Sequence, residues 1–287
     1  MEPYWTILIL ISAAIHPLRD LILKGVAHPA SCYVGVSLIW VFLAAGHTLA
    51  MGQDLSVPRE TWPYVVISAI GLTLYYYGTL SALRRGNLSV YYPIIRSSPI
   101  AIIAFSWLAL NQIYSWLTLL GVSLVLLGSL IIQKSPGRLL DDRKAFTMAV
   151  LAMMGSAAYS LSDANAMQQV SPAPFLFYCY ILVVPMLAGI RAWEDSHMFA
   201  PFLPVVRGWA LAPWRIVFAG ITSFLSYLFI LSAFQLGAEA ATVSAVRQAS
   251  IPVSVILAAF ILNEPHFMHR IVWAGLVALG ILAITLS

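Results

Sequence analysis

The sequence predicts an all-α membrane protein: ten transmembrane helices as two inverted five-helix repeats around a central cavity. Three observations predict it. Hydrophobic residues make up 61% of the 287 positions and charged ones only 9%, with a mean hydropathy of +0.89, far from the composition of a soluble domain. Apolar runs of about 20 residues, the length that crosses a hydrocarbon core of roughly 30 Å, follow one another along the chain. The two halves also carry matching patterns, each with an arginine inside an apolar run.

The runs fall at 4–23, 30–50, 62–83, 88–110, 113–133, 146–168, 173–192, 214–236, 239–262 and 268–286. The first has no basic leader and no small-residue cleavage site after it, so it reads as a retained helix rather than a signal peptide. Residues 134–145, "KSPGRLLDDRKA", form a charged linker that divides the chain into 1–133 and 146–287, five runs each. Cys32 and Cys179 lie in apolar runs without metal-type spacing and read as small core residues. Neither a cofactor nor a metal is called for. The net charge of +4 is small and its basic residues flank the runs, which argues against a nucleic-acid partner.

The halves align in two places. "LSALRRGNLSVYYPIIRSSP" (80–99) on "LSAFQLGAEAATVSAVRQAS" (231–250) pairs Gly86 with Gly237 and Arg96 with Arg247. One inserted residue later, "ALNQ" (109–112) meets "ILNE" (261–264) and Gly128 meets Gly280. At the front, "LRDLILKGVAHPA" (18–30) on "LSDANAMQQVSPA" (161–173) pairs Asp20 with Asp163 and Pro29 with Pro172. Five crossings is an odd number, so equivalent halves must be inverted, the arrangement of transporters with a midplane site.

Ten helices in two five-helix repeats, each closing on "LNQ" or "LNEP" and then "GVSLVLLG" or "GLVALGI", resemble the EamA type of the drug/metabolite transporter superfamily. The aromatic-rich helices resemble its YddG-type amino-acid exporters. The resemblance implies a basket-shaped carrier with a cavity between its halves, working by alternating access as a monomer on small metabolites, with amino acids moving outwards as the leading substrate class. Other branches of the fold export lipid-linked or nucleotide-linked precursors or drugs, the alternative reading. An intramembrane enzyme is disfavoured: there is no HExxH, GxxxxGK[ST] or GxSxG and no paired intramembrane carboxylates. A channel or scaffold is harder to exclude, but matched polar, proline-containing runs favour alternating access.

Orientation follows from charge. Alternating the runs places Arg19, Lys24, Arg84, Arg85, Lys134, Arg138, Arg143, Lys144, Arg191, Arg207, Arg215 and Arg270 on one face and only Arg59 on the other. The positive-inside rule then puts both termini outside, periplasmic in a bacterial inner membrane.

Inside the membrane, Arg96 and Arg247 each lie about nine residues into their runs, roughly 12 Å deep. A guanidinium stays charged and needs a partner. Asp20 shares the side of Arg96 and Asp163 that of Arg247, so structural ion pairs within each repeat are one reading. A substrate carboxylate held by one or both arginines is a second, since the planar fork suits it. Hydrogen bonds to carbonyls released by Pro93, Pro99 and Pro252 are a third. Tyr76 and its equivalent Tyr227, together with Tyr75, Tyr77, Tyr91 and Tyr92, are candidates for a cavity wall or for packing. Ser97, Ser98, Ser244, Ser250 and Ser254 offer small polar contacts or close helix packing. The substrate-binding candidates are thus Tyr76, Tyr92, Arg96, Ser97, Pro99, Tyr227, Ser244, Arg247 and Ser250. His16, beside Pro17, is the candidate for proton coupling. Trp5, Trp62, Trp193, Trp209 and Trp214 read as interfacial anchors.

Overall fold

The computed structural model describes residues 3–23, 29–85, 88–132, 142–194, 206, 209–210, 212–253 and 267–286, and every element among them is helical. In chain order these are α1 (Pro3–Ile22), α2 (Pro29–Ala50), α3 (Trp62–Arg85), α4 (Leu88–Arg96), α5 (Ser98–Leu110), α6 (Trp116–Ile132), α7 (Arg143–Ala166), α8 (Pro172–Glu194), α9 (Pro213–Gln235), α10 (Ala240–Val246) and α11 (Phe267–Thr285), with short 3-10 turns at Arg59–Thr61 and Arg247–Ala249. Most bounds lie within one turn of the predicted runs. Among the described residues, five helices are long and apolar enough to cross a membrane: Ala30–Ala50, Arg59–Ala82, Arg143–Ala166, Pro172–Trp193 and Pro213–Gln235. Tyr4–Arg19, Ser98–Leu108, Trp116–Ile131 and Val272–Thr285 are apolar but shorter.

Three boundaries differ from expectation for physical reasons. α7 begins three residues early, inside the predicted linker, because the Asp142 side chain accepts from the Lys144 and Ala145 amides at 2.9 and 3.0 Å and caps it. The single helix expected over 88–110 is two helices, α4 and α5, parted at Arg96 and Ser97. Pro99 has no N–H to give to Ile95, and the Ser97 amide turns to the Ile94 carbonyl at 3.0 Å in a tighter turn. That leaves the Pro93 carbonyl without its helical donor, and the Ser97 hydroxyl donates to it instead at 2.8 Å. The run expected over 239–262 breaks likewise: α10 gives way at Arg247 to the 3-10 turn, and helix resumes at 250–253. Pro252 removes the donor for the Gln248 carbonyl. Residues 254–266, with Ser254 and the "ILNE" motif, lie outside the described residues.

Helices meet where side chains are smallest, as expected in lipid, where close approach replaces the hydrophobic drive between helices. α3 lies on α7 at Gly71 and Gly155; a Cβ on Gly71 would sit 2.8 Å from the Gly155 carbonyl oxygen. α6 lies on α11 at Gly121 and Gly280 in the same reciprocal way, each Cβ meeting the other's carbonyl at 2.6 Å. α1 lies on α9, where the Ser226 hydroxyl donates to the Ser12 carbonyl at 3.0 Å. α2 packs on α8 and on α9, with Trp40 Nε1 donating to Ser223 Oγ at 2.9 Å, and α3 also packs on α8. Large apolar side chains such as Trp107, Leu108, Phe218, Val272 and Leu279 point outwards, as lipid contact requires. Trp62, Trp193 and Trp214 are exposed near helix ends in keeping with an interfacial place. Trp209 departs from that expectation: its indole lies on Gly35 of α2, where any Cβ would collide with the ring.

Candidate functional site

The two helix breaks meet at the centre. Gln248, in the 3-10 turn, donates from Nε2 to the Arg96 carbonyl at 2.7 Å, and the Ser98 and Ser244 hydroxyls are 3.2 Å apart. The second break therefore supplies what the first lacks: α4 ends on a carbonyl that the missing helical turn leaves open, and the turn after α10 brings an amide to it.

Around the crossing lie two small voids that share Tyr75, Tyr159, Tyr227 and Arg247 in their walls. The larger, about 30 Å³, is closed by Arg96, Ser98, Ser244 and Gln248 from the breaks and by Ser156 and Ser160 of α7. The smaller, about 20 Å³, is lined by His16, Arg19, Trp40, Tyr76, Tyr180 and Ser223. Space of that size holds one or two waters. The site is thus closed around water-sized gaps.

Arg247 presses its guanidinium on aromatic rings. Its Cζ lies 5.4 Å from the centre of the Tyr227 ring, its Nη1 donates to the Tyr159 hydroxyl at 3.4 Å, and its Nε has no hydrogen-bond partner. Tyr227 in turn donates its hydroxyl to Oδ2 of Asp163, which is fully buried, while Oδ1 has no hydrogen-bond partner. The predicted direct ion pair between Asp163 and Arg247 is therefore replaced by a chain, carboxylate to phenol to guanidinium, with the Tyr227 ring lodged between the charges. The ring lets each charged group be met in a dry interior without the two touching. Tyr76, the equivalent of Tyr227, shares a hydrogen bond of 3.0 Å with Tyr180 instead. Trp40 spans both groups, 4.4 Å from Tyr180 and 5.6 Å from Tyr227 between ring centres.

Of the sequence candidates, Arg96, Ser244, Arg247, Tyr227, Tyr76 and His16 line these voids. His16 is buried with Nε2 unpartnered, in the void that Arg19 and Arg247 also reach. Ser97, Pro99 and Ser250 do not line them. Ser97 is committed to the Pro93 carbonyl, and Pro99 and Ser250 are buried elsewhere. The side chains of Tyr92 and Asp20 lie outside the described residues, and with them the expected Asp20–Arg96 pair.

Several wall residues were not singled out from sequence as site candidates, among them Arg19, Trp40, Tyr159, Tyr180 and Gln248. Arg19 reads as a topology charge at the end of its run, yet it is 7% exposed and its Cζ lies 5.6 Å from the Tyr33 ring centre. Two signals were available. Arg19 is three residues after His16 and shares its helix face, and the front alignment that pairs Asp20 with Asp163 also pairs His16 with Tyr159. Buried cations, phenols and small hydroxyls gathered where the two broken helices cross offer charge and hydrogen bonds to an anionic group.

A solved crystal structure of a protein, 15% identical, matches over 100% of this chain and 99% of its own length with a TM-score of 0.73; at that identity the likeness shows the fold alone. No curated protein matches the chain. Residues 3–133, under half of the chain, match the EamA-like transporter family, a likeness consistent with the drug/metabolite transporter superfamily and, with the apolar helices of membrane-crossing length, with a multi-pass membrane protein.

Proposed function

We propose that the protein is a secondary transporter that moves amino acids, aromatic ones included, outwards across a bacterial inner membrane by alternating access. In this reading ten spans form two inverted repeats, 1–133 and 146–287, joined by the linker 134–145. The family match ends where the first proposed repeat ends. The packing pairs support the same relation. If α1, α2, α3 and α6 correspond to α7, α8, α9 and α11, then α3 on α7 maps to α9 on α1, and α2 on α9 maps to α8 on α3. The pairs α2 with α8 and α6 with α11 map onto themselves, and all of these pairs occur.

The observation that carries the reading is the meeting of two broken helices at matched arginines over a closed gap. Discontinuous helices at the midplane are where carriers bind. Arg247, with Arg96 beside it, takes the substrate carboxylate, and Tyr75, Tyr76, Tyr159 and Tyr227 face its side chain. Admitting an amino acid into gaps that hold one or two waters requires the halves to part on one side at a time. Parting them breaks the Gln248–Arg96 and Ser98–Ser244 contacts.

The test is counterflow of labelled phenylalanine, tryptophan and alanine into liposomes that hold the purified protein. Saturable uptake of at least one is expected; uptake of none, with passage of a lipid or drug probe, would overturn the amino-acid reading. The proposed periplasmic termini are tested by C-terminal fusions. Alkaline phosphatase should be active there, and an inactive phosphatase with a bright fluorescent fusion reverses the orientation.

A further inference from the structure

An amino acid carries two charges, and the proposed transport has so far given a partner to one. Arg247 takes the carboxylate, which leaves an ammonium to be met in a dry interior, where an unpaired charge is expensive. Among the described residues Asp163 is the only buried acid. It stands on α7 one turn after Tyr159, which lines both central voids, so the two share a helix face. Ser68 of α3 and Cys179 of α8 neighbour its carboxyl and bring no cation. Among the described residues the cation that acts on it is Arg247.

Between that acid and that cation lies one phenol. Tyr227 donates its hydroxyl to Oδ2 of Asp163 and turns its ring to the Arg247 guanidinium, 5.4 Å from ring centre to Cζ. A donor faces the acid and an electron-rich face meets the cation, which is the polarity of an amino acid laid there with its ammonium at Asp163 and its carboxylate at Arg247. The phenol satisfies both groups incompletely: Oδ1 of Asp163 and Nε of Arg247 have no hydrogen-bond partner. An ammonium brings three donors and a full charge to the acid, and a carboxylate accepts two parallel hydrogen bonds from a guanidinium. Tyr227 is also in the wall of both voids, so its ring borders the space that grows when the halves part.

We propose that Asp163 receives the ammonium of the substrate, and that the Tyr227 phenol holds that place in the closed form and leaves the carboxylate when the amino acid arrives. The assignment rests on the amino-acid reading and adds to it the residue that tells an amino acid from a carboxylic acid without the amine.

The test is ligand protection of the purified full chain against thermal unfolding in detergent, titrated with phenylalanine and with phenylpropionate, which is phenylalanine without its amino group. The wild type should bind phenylalanine about tenfold or more tightly than phenylpropionate, as expected where a buried charged acceptor is left unmet. Asp163→Asn keeps the size of the side chain and an oxygen for the Tyr227 hydroxyl, and it should bring the two ligands to within about threefold of each other. Tyr227→Phe removes the competitor for the carboxylate and should widen the preference for phenylalanine; it decides the matter if the Asn variant does not fold. Equal binding of both ligands by the wild type, an unchanged preference in Asp163→Asn, or a narrowed one in Tyr227→Phe would overturn the assignment. Phenylalanine counterflow by the wild type separates the two levels of the argument. Counterflow together with any of those results overturns the role of Asp163 alone, whereas neither counterflow nor protection by any amino acid overturns the amino-acid reading and this assignment with it.

Discussion

The break between α4 and α5 and the break after α10 carry equivalent arginines but are built and used differently. At the first, Pro93 and Pro99 flank the turn, Ser97 clamps the Pro93 carbonyl, and the Arg96 backbone oxygen and the Ser98 hydroxyl meet the other half of the molecule. At the second, Pro252 alone follows the turn, and what reaches out is side chains: Gln248 to Arg96, Arg247 to Tyr159 and Tyr227. The first break is met at its backbone and the second reaches out through side chains. A symmetric pattern in sequence has thus become an asymmetric structure, and in the proposed function the weight falls on Arg247.

The largest expected effect follows from that shift. Arg247→Lys keeps the charge but loses the planar fork and the hold on two phenols. Losing a buried charged contact of this kind is worth about 2 to 5 kcal/mol, so amino-acid counterflow should fall about thirtyfold or more with expression retained. Arg96→Lys keeps the carbonyl that Gln248 uses, and its loss should be about tenfold. Counterflow measured side by side checks the ranking. Equal losses would show that the two arginines act alike, and no loss in either would make both structural.

The second effect compares the equivalent tyrosines through stability. Tyr227→Phe strips the hydroxyl from Oδ2 of buried Asp163, whose Oδ1 has no hydrogen-bond partner. Leaving a buried polar oxygen unmet costs about 1 to 3 kcal/mol. Tyr76→Phe removes only a neutral bond to Tyr180, worth about 0.6 kcal/mol inside a membrane protein. Thermal unfolding midpoints in detergent should drop clearly for the first and barely for the second. A larger drop for Tyr76→Phe would mean that Asp163 is satisfied by other means.

Much of this was legible in the chain because hydropathy and proline act locally. The runs were long and unbroken enough to place helices to within a turn, and the repeated arginine marked the centre before any coordinate did. What was not legible depends on rotation about the helix axis and on geometry between helices. Arg19 has the position of a topology charge, and only the facing of α1 towards α9 turns it inwards. Asp163 has the depth to meet Arg247, but depth says nothing of the ring of Tyr227 standing between them. Whether a proline kinks or fully parts a helix is likewise decided by what donates to the released carbonyls. Gln248, which the alignment pairs with the shorter Ser97, is the residue that donates across the halves.

The smallest effects separate the two breaks themselves. Gln248→Met preserves length and removes the donor to the Arg96 carbonyl, which spans the two halves. Ser97→Ala removes a donor within its own turn. The static cost of each lies within the range for membrane hydrogen bonds, about 0.6 and at most about 1.7 kcal/mol, so melting alone should show two modest shifts. Transport should tell them apart. The Gln248 bond must break whenever the halves part, so its loss lowers the closed state relative to either open one in stability and alters the counterflow rate. The Ser97 bond stays inside α4 throughout the cycle, and its loss should leave the rate within about twofold of wild type, roughly the effect of a 0.4 kcal/mol change. A Ser97→Ala rate change as large as that of Gln248→Met would place the moving joint within the first break rather than between the two.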